Sequence, residues 1–348
     1  MDNPGRWNMY ANMIFLEAPV GVGFSPSVPG LGLNDTQTAN DNLAAIQAFY
    51  AKFPSLRKNK FAISGESYAG VYLPTLAAAI LESNENAPAD QIINFVAMEV
   101  GNGCSGTEVG ACSPAGVGIR AAFLYGHNMV SPDLYANLTQ NDCFAVANQG
   151  TPFCKALLED YVKGAGPFNI YNVYAPCAEV LDGTYANPKL HPALADPLGL
   201  GLGLGEAGVE CIDSRQAHKY LNDMLVKTAF HVDTSITWTI CANIPYTPTA
   251  KNLPRDVYPG LISKIKVEIW EGLMDACVPG VLDWVSAMGY PVKSDWTPWL
   301  SNKQLAGYTI EYDANGFMYR SFLKSGHPIP EKSDMAALQA FKAFIDSW

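Results

Sequence analysis

The chain has 348 residues, 49% hydrophobic and 16% charged, with a net charge of −11 and a pI near 4.9. That composition excludes an overall disordered chain and supplies a sizeable core, in a domain large enough to carry an insertion. An acidic chain without Lys/Arg clusters is a poor ligand for nucleic acid or anionic membrane, and no apolar run reaches the roughly 18 residues of a membrane span, so neither partner is expected.

In chain order, Met13-Ile14-Phe15-Leu16 is a short apolar run stopped by Ala18-Pro19 and reads as a buried strand. Asn34 to Phe53 carries Leu43, Ile46, Phe49 and Tyr50 at helical spacing. Phe61 to Ser64 reads as a second buried strand, followed by a helix through Leu76, Ala79 and Ile80, and Ile92 to Val100 as a third strand. This β-α-β-α-β order predicts an α/β fold with a mostly parallel sheet. Residues 104–245 then break the pattern. They hold seven of the eight cysteines, many Pro and Gly, and the low-complexity stretch Leu198 to Gly205. They are expected to form a helical cap inserted between core segments 1–103 and 246–348. Strands resume at Ile265 to Trp270 and Tyr308 to Tyr312, and a helix from Met335 to Phe344 closes the chain.

No Cys-x-x-Cys pair occurs, which argues against zinc and thioredoxin-like chemistry, so no metal or cofactor is expected. Spaced cysteines with two sequons, at Asn34 and Asn137, point to glycosylation and an oxidising compartment of the secretory pathway: vacuole, lysosome or extracellular space. Met1 to Trp7 has neither a basic nor an apolar leader, so for a secreted chain an incomplete N-terminus is expected.

The chemistry centres on Gly65-Glu66-Ser67-Tyr68-Ala69-Gly70. A strand leads into it and a helix follows, the context in which a serine is exposed on a tight turn as a nucleophile. Ala69 stands where the motif usually has Gly. A serine needs a base, and the base an acid, in the chain order Ser, Asp, His for this fold. Of five histidines, His127, His191, His218 and His231 fall in the cap, and His218 and His231 read as ordinary helix residues. His327, in Ser325-Gly326-His327-Pro328, follows the last predicted strand. Asp275 follows the strand at 265–270, while its rivals Asp283 and Asp295 read as solvated. Ser67, Asp275 and His327 are therefore the candidate triad. Gly203 to Gly208 matches a dinucleotide-binding pattern, but no strand precedes it. Cys277 lacks a nucleophile turn and reads as unpaired or structural.

These segments resemble the serine carboxypeptidases. The resemblance is carried by Asn12 to Ser25, with Glu17 where Asp is usual; by Gly65 to Gly70, Ala69 included; by Trp238-Thr239-Ile240-Cys241; by Gly272-Leu273-Met274-Asp275; and by Gly326-His327-Pro328-Ile329-Pro330. It implies an α/β-hydrolase fold and release of single residues from the C-terminus of peptide substrates, at acid pH. It further implies that Glu66 binds the substrate carboxylate, that the Tyr68 N–H is one oxyanion donor, and that Cys104–Cys112, Cys143–Cys154 and Cys177–Cys211 are bridged. Cys241 matches a cysteine whose family partner lies in an upstream Trp-x-Asn-Gly-Gly-Pro-Gly-Cys segment that has no counterpart after Met1. The resemblance therefore implies missing N-terminal strands and a missing second oxyanion donor. Partners left open are a separate N-terminal fragment and a second copy forming a homodimer. The alternatives to a carboxypeptidase are a catalytically impaired fragment or non-catalytic relative, and an acyltransferase of the same family.

Overall fold

The computed structural model describes residues 3–28, 30–166, 168–176, 214–240 and 244–348. Among the described residues eight strands form two sheets: β1 (Leu33–Asn34), β2 (Phe61–Glu66), β3 (Phe95–Gly101), β4 (Tyr246–Thr247), β5 (Lys266–Gly272), β6 (Val292–Ser301), β7 (Gln304–Tyr312) and β8 (Met318–Phe322). β1 and β4 make a short parallel pair, and the rest form a six-stranded sheet in the order β2-β3-β5-β8-β7-β6. β2, β3, β5 and β8 run parallel, whereas β7 pairs antiparallel with both β8 and β6. This is the expected mostly parallel sheet, with a hairpin added at one edge.

The pleat sends alternate side chains to two buried faces. One face presents Ile63, Met98, Val100, Val267, Ile269 and Tyr319, which join a core cluster with Ile46 and Tyr50 of α1 (Asp35–Lys52) and Leu73, Leu76 and Ile80 of α2 (Ala69–Glu85). Asn34 starts α1 by accepting the Gln37 N–H at 2.9 Å, so this predicted glycosylation site is the helix N-cap and is half-buried. The other face presents Ala97, Trp270 and Phe322 to Ala337, Ala340, Phe341 and Phe344 of the C-terminal helix Asp334–Asp346. Trp7 stacks on Phe341 at 4.1 Å and meets Trp270 edge-on at 6.0 Å, closing that face. Full burial of each such side chain stabilises by about 1.5–3 kcal/mol.

The inserted region contributes α3 (Gly116–Gly126), α4 (Pro132–Gln140) and α5 (Pro152–Ala165), which bury Val117, Leu124, Leu138, Leu158 and Tyr161 in a cluster of their own. Asn137 lies exposed on α4. The bridges Cys104–Cys112 and Cys143–Cys154 are both present. Cys177, Cys211, Cys241, His191 and the Gly/Leu-rich stretch with its dinucleotide-like pattern lie outside the described residues.

Two expectations need correction. Met13 to Leu16 is not a strand: the segment is extended but unpaired, with Ile14, Phe15 and Leu16 at 49%, 87% and 46% exposure. A strand needs a ladder partner, and β2 is the edge of the described sheet, with nothing hydrogen-bonded between it and this run. His231 is not helical but sits in the turn after the helix Met224–Ala229, at φ +56°. β6 and β8 are strands that composition hid: β6 is almost wholly exposed, and β8 carries Arg320 and Ser321 amid its apolar residues.

Candidate active site

β2 ends at Glu66, and Ser67 adopts φ +68° before α2 begins at Ala69. A non-glycine residue in this region is held there at a cost of about 1–3 kcal/mol, so its surroundings must enforce it. They do so through the backbone. The Ser67 N–H donates to the Gly101 carbonyl at 3.1 Å, and the Ser67 carbonyl accepts from Gly70 at 2.9 Å and Cys104 at 3.0 Å. The turn needs small neighbours. A Cβ on Gly65 would lie 2.8 Å from the Ala69 Cβ, and one on Gly70 would lie 2.3 Å from the Cys104 carbonyl oxygen. Alanine at 69 is thus accommodated by the glycine at 65.

Asp275 follows β5 and is fully buried, and His327 follows β8 and is buried. The Asp275 Oδ2 and His327 Nδ1 are 2.8 Å apart. Asp275 Oδ1 accepts from the Cys277 N–H at 2.6 Å and the Val278 N–H at 3.3 Å. Glu66 is 3.7 Å from His327 Nδ1, and its two oxygens accept the Ile329 N–H at 3.0 and 2.9 Å. Glu66 therefore holds the loop that carries His327, bringing the ends of β2, β5 and β8 to one place. Ser67 Oγ makes no hydrogen bond to His327 in this structure; such bonds commonly tighten only with substrate. The Tyr68 N–H has no acceptor among the described residues. The rival acids Asp283 and Asp295 are exposed, as expected.

The electrostatics follow from burial and proximity. Burial raises Glu66 from 4.5 to about 7, against the opposing pull of His327 and the Ile329 N–H. Burial alone would lower His327, but the Asp275 carboxylate and its hydrogen bond, with Glu66, outweigh it and raise the imidazole to about 9. Beneath the turn, burial holds Glu99 well above the usual carboxylate range; it accepts the Ser64 hydroxyl at 2.5 Å, while its Oε1 has no partner. Burial and Asp275 push the Cys277 thiol up to about 12.

Several residues that support the site were not singled out in the sequence. Asp35 is buried at the start of α1. Its Oδ1 accepts the hydroxyls of Tyr68 at 3.0 Å and Tyr246 at 2.8 Å, and its Oδ2 the N–H groups of Thr249 and Ala250 at 2.6 and 2.7 Å. The segment 168–176 of the insertion packs against His327 and the loop of Asp275. Ile170 and Tyr171 carbonyls accept from Ala276 at 2.9 Å and His327 at 2.7 Å, and the Tyr171 ring stacks on His327 at 5.6 Å. Gly326 is required there, since a Cβ would lie 2.0 Å from the Tyr171 carbonyl oxygen. A buried Asp at a helix start was the one available signal; the 168–176 contacts have none. Glu17 accepts from Trp238 Nε1 at 3.0 Å and the Phe24 N–H at 2.5 Å, joining two of the segments that carry the family resemblance. Among the described residues no group of His, Cys, Asp and Glu could hold a metal ion.

A parallel sheet with a serine on a strained strand–helix turn, and an Asp–His pair beyond two later strands, defines an α/β hydrolase. The comparisons specify it further. The serine carboxypeptidase family model matches residues 1–347. Serine carboxypeptidase-like 21 of Arabidopsis thaliana is 31% identical over 387 residues, covering 99% of this chain and 76% of the relative. The lysosomal protective protein of Mus musculus is 28% identical over 379 residues, covering 99% and 77%. The crystal structure of a prohormone-processing carboxypeptidase from Saccharomyces cerevisiae aligns with a TM-score of 0.70 at 18% identity, over 99% of this chain and 76% of that one. The chain belongs to the serine carboxypeptidase family.

Proposed function

We propose that the protein is a serine carboxypeptidase that releases C-terminal residues from peptides through an acyl-enzyme on Ser67. The observation that carries this reading is the 2.8 Å Asp275–His327 contact beside the strained Ser67 turn. His327, in its neutral form, takes the Ser67 proton at Nε2 as Oγ bonds to the scissile carbonyl carbon, then delivers it to the departing amine; water cleaves the ester by the reverse path. Asp275 holds Nδ1–H and stabilises the imidazolium. The Tyr68 N–H faces the developing oxyanion.

Glu66 is proposed to hold the substrate's terminal carboxylate. Two carboxylates repel, so Glu66 must be protonated to donate, which its rise to about 7 favours on the acid side of neutrality. A neutral Glu66 also removes its share of the rise at His327. Acid working conditions fit the vacuolar, lysosomal or extracellular placement proposed with glycosylation at Asn34 and Asn137. Among the described residues no helix is long and apolar enough to cross a membrane. A separate N-terminal fragment is the partner proposed for the open edge of β2, where a further strand can pair.

The test is hydrolysis of an N-blocked dipeptide at about pH 5. The expected result is a free C-terminal amino acid from the acid, little from its amide, and none with Ser67→Ala. No turnover together with no fluorophosphonate labelling of Ser67 would identify a non-catalytic relative. Acyl transfer to an added alcohol in preference to water would identify an acyltransferase.

A further inference from the structure

Asp275 sits on a loop, and a loop carboxylate keeps a fixed direction only if neighbours hold the loop. Two side chains that the proposed chemistry does not use bracket residues 272–278. Asn102, the first residue beyond β3, has no exposed surface. Its Oδ1 accepts the Gly272 N–H at 2.7 Å, and its Nδ2 donates to the Val278 carbonyl at 3.2 Å and the Gly272 carbonyl at 3.4 Å. One amide thus spans both ends of the loop. Asn102 does this at φ +35°, a backbone state that glycine would adopt more readily.

Arg120 approaches from the other side. It lies on α3, in the inserted region, and its Nε and Nη2 donate to the Cys277 carbonyl at 3.2 and 3.0 Å. That carbonyl shares a peptide unit with the Val278 N–H, which points at Asp275 Oδ1 at 3.3 Å. The guanidinium and the carboxylate therefore sit at opposite ends of one planar peptide. Planarity fixes the N–H direction once the C=O is held, and the cation polarises the peptide so that its N–H is a better donor. With Oδ1 occupied by Cys277 and Val278, Oδ2 is left to His327.

We infer that Asn102 and Arg120 are positioning residues that aim Asp275 at His327, Arg120 acting through the Cys277–Val278 peptide and Asn102 through the loop's two ends. The inference rests on the triad reading above. Neither side chain touches substrate; both act through the acid. It also makes the insertion part of the catalytic geometry, because α3 supplies one of the two holds.

The test uses the whole chain with Arg120→Met, Arg120→Lys and Asn102→Gly, each checked for folding by circular dichroism. Glycine is chosen at 102 because it tolerates the backbone there, so this variant keeps the inference testable should Arg120→Met fail to fold. Two readouts are taken: the low-field proton resonance of His327 Nδ1–H, which needs no turnover, and kcat and KM for the blocked dipeptide. Arg120→Met and Asn102→Gly are expected to move the resonance upfield or broaden it, and to lower kcat by about 10²-fold, the scale of a 1 Å misplacement. KM should stay within about twofold, Arg120→Lys should recover most of the loss, and neither change should lower kcat further in an Asp275→Asn background. Folded variants with an unchanged resonance and kcat overturn the inference. So does a loss that is undiminished alongside Asp275→Asn, or one that falls on KM. Absence of the resonance from the unsubstituted protein would instead refute the triad reading, and the positioning roles with it.

Discussion

Replacing Glu66 by Gln keeps the shape of a mostly buried side chain and removes its ability to ionise. A carboxyl whose folded value is raised from 4.5 to about 7 binds its proton more tightly in the native state, so stability falls as pH rises between those values. His327 has the same sign in a later window: raised from 6.5 to about 9, its contribution is fully present below 6.5 and is lost as pH climbs to 9. Between pH 4.5 and 6.5 the slope from this pair therefore belongs to Glu66. Its share over that interval is about 2 kcal/mol. For a chain of this length that corresponds to about 3 °C in melting temperature. Thermal unfolding followed by circular dichroism at several pH values should show the native protein losing stability across the interval and Glu66→Gln losing less by that amount. Parallel curves for the two proteins would refute the assigned cause, because they would mean that Glu66 titrates alike in the folded and unfolded chains.

Glu99→Gln should stabilise the protein at neutral pH and leave it unchanged below about pH 4, since the buried carboxyl stays protonated where the unfolded chain has ionised; denaturant melts at the two pH values check the sign. Cys277, half-buried and with its thiol pushed up to about 12, should react with a thiol reagent at mildly alkaline pH much more slowly in the native protein than after unfolding, and equal rates would contradict the raised value. Phe341→Ala should remove the stacking partner of Trp7 and open the sheet face under the last helix, costing about 3–5 kcal/mol in denaturant unfolding, while Phe15→Ala, at an exposed position, should change stability by less than about 0.5 kcal/mol.

Much of the candidate site was legible because its residues are marked by local pattern. A short apolar strand followed by a small-residue turn needs no partner to be recognised, and Ser67 and Asp275 follow such strands in β2 and β5, whereas the strand before His327, β8, was hidden by Arg320 and Ser321 and His327 stood out only by its place after the strand at 308–312. The helices α1 and α2 were legible for the same reason: a periodic apolar face is written into neighbouring residues. Met13 to Leu16 has the composition of a buried strand, but composition cannot supply the second backbone that a ladder requires, and the run lies unpaired and exposed. β6 failed in the opposite way: exposed on both faces and irregular in register, it is held by hydrogen bonds to β7 rather than by an apolar pattern.

The sequence by itself determined which residues are the candidates for nucleophile, acid and base and in what order, because residue type and position after a strand single them out. The tertiary structure decided what those residues can do. The raised values of Glu66 and His327 come from burial and from distances of 3.7 and 2.8 Å between groups far apart in the chain. The hold of Asn102 and Arg120 on the 272–278 loop spans more than 150 residues. Hydrogen bonds of that kind leave no local pattern, since they depend on where the sheet order and the inserted helices bring the backbone, and only the folded chain contains that information.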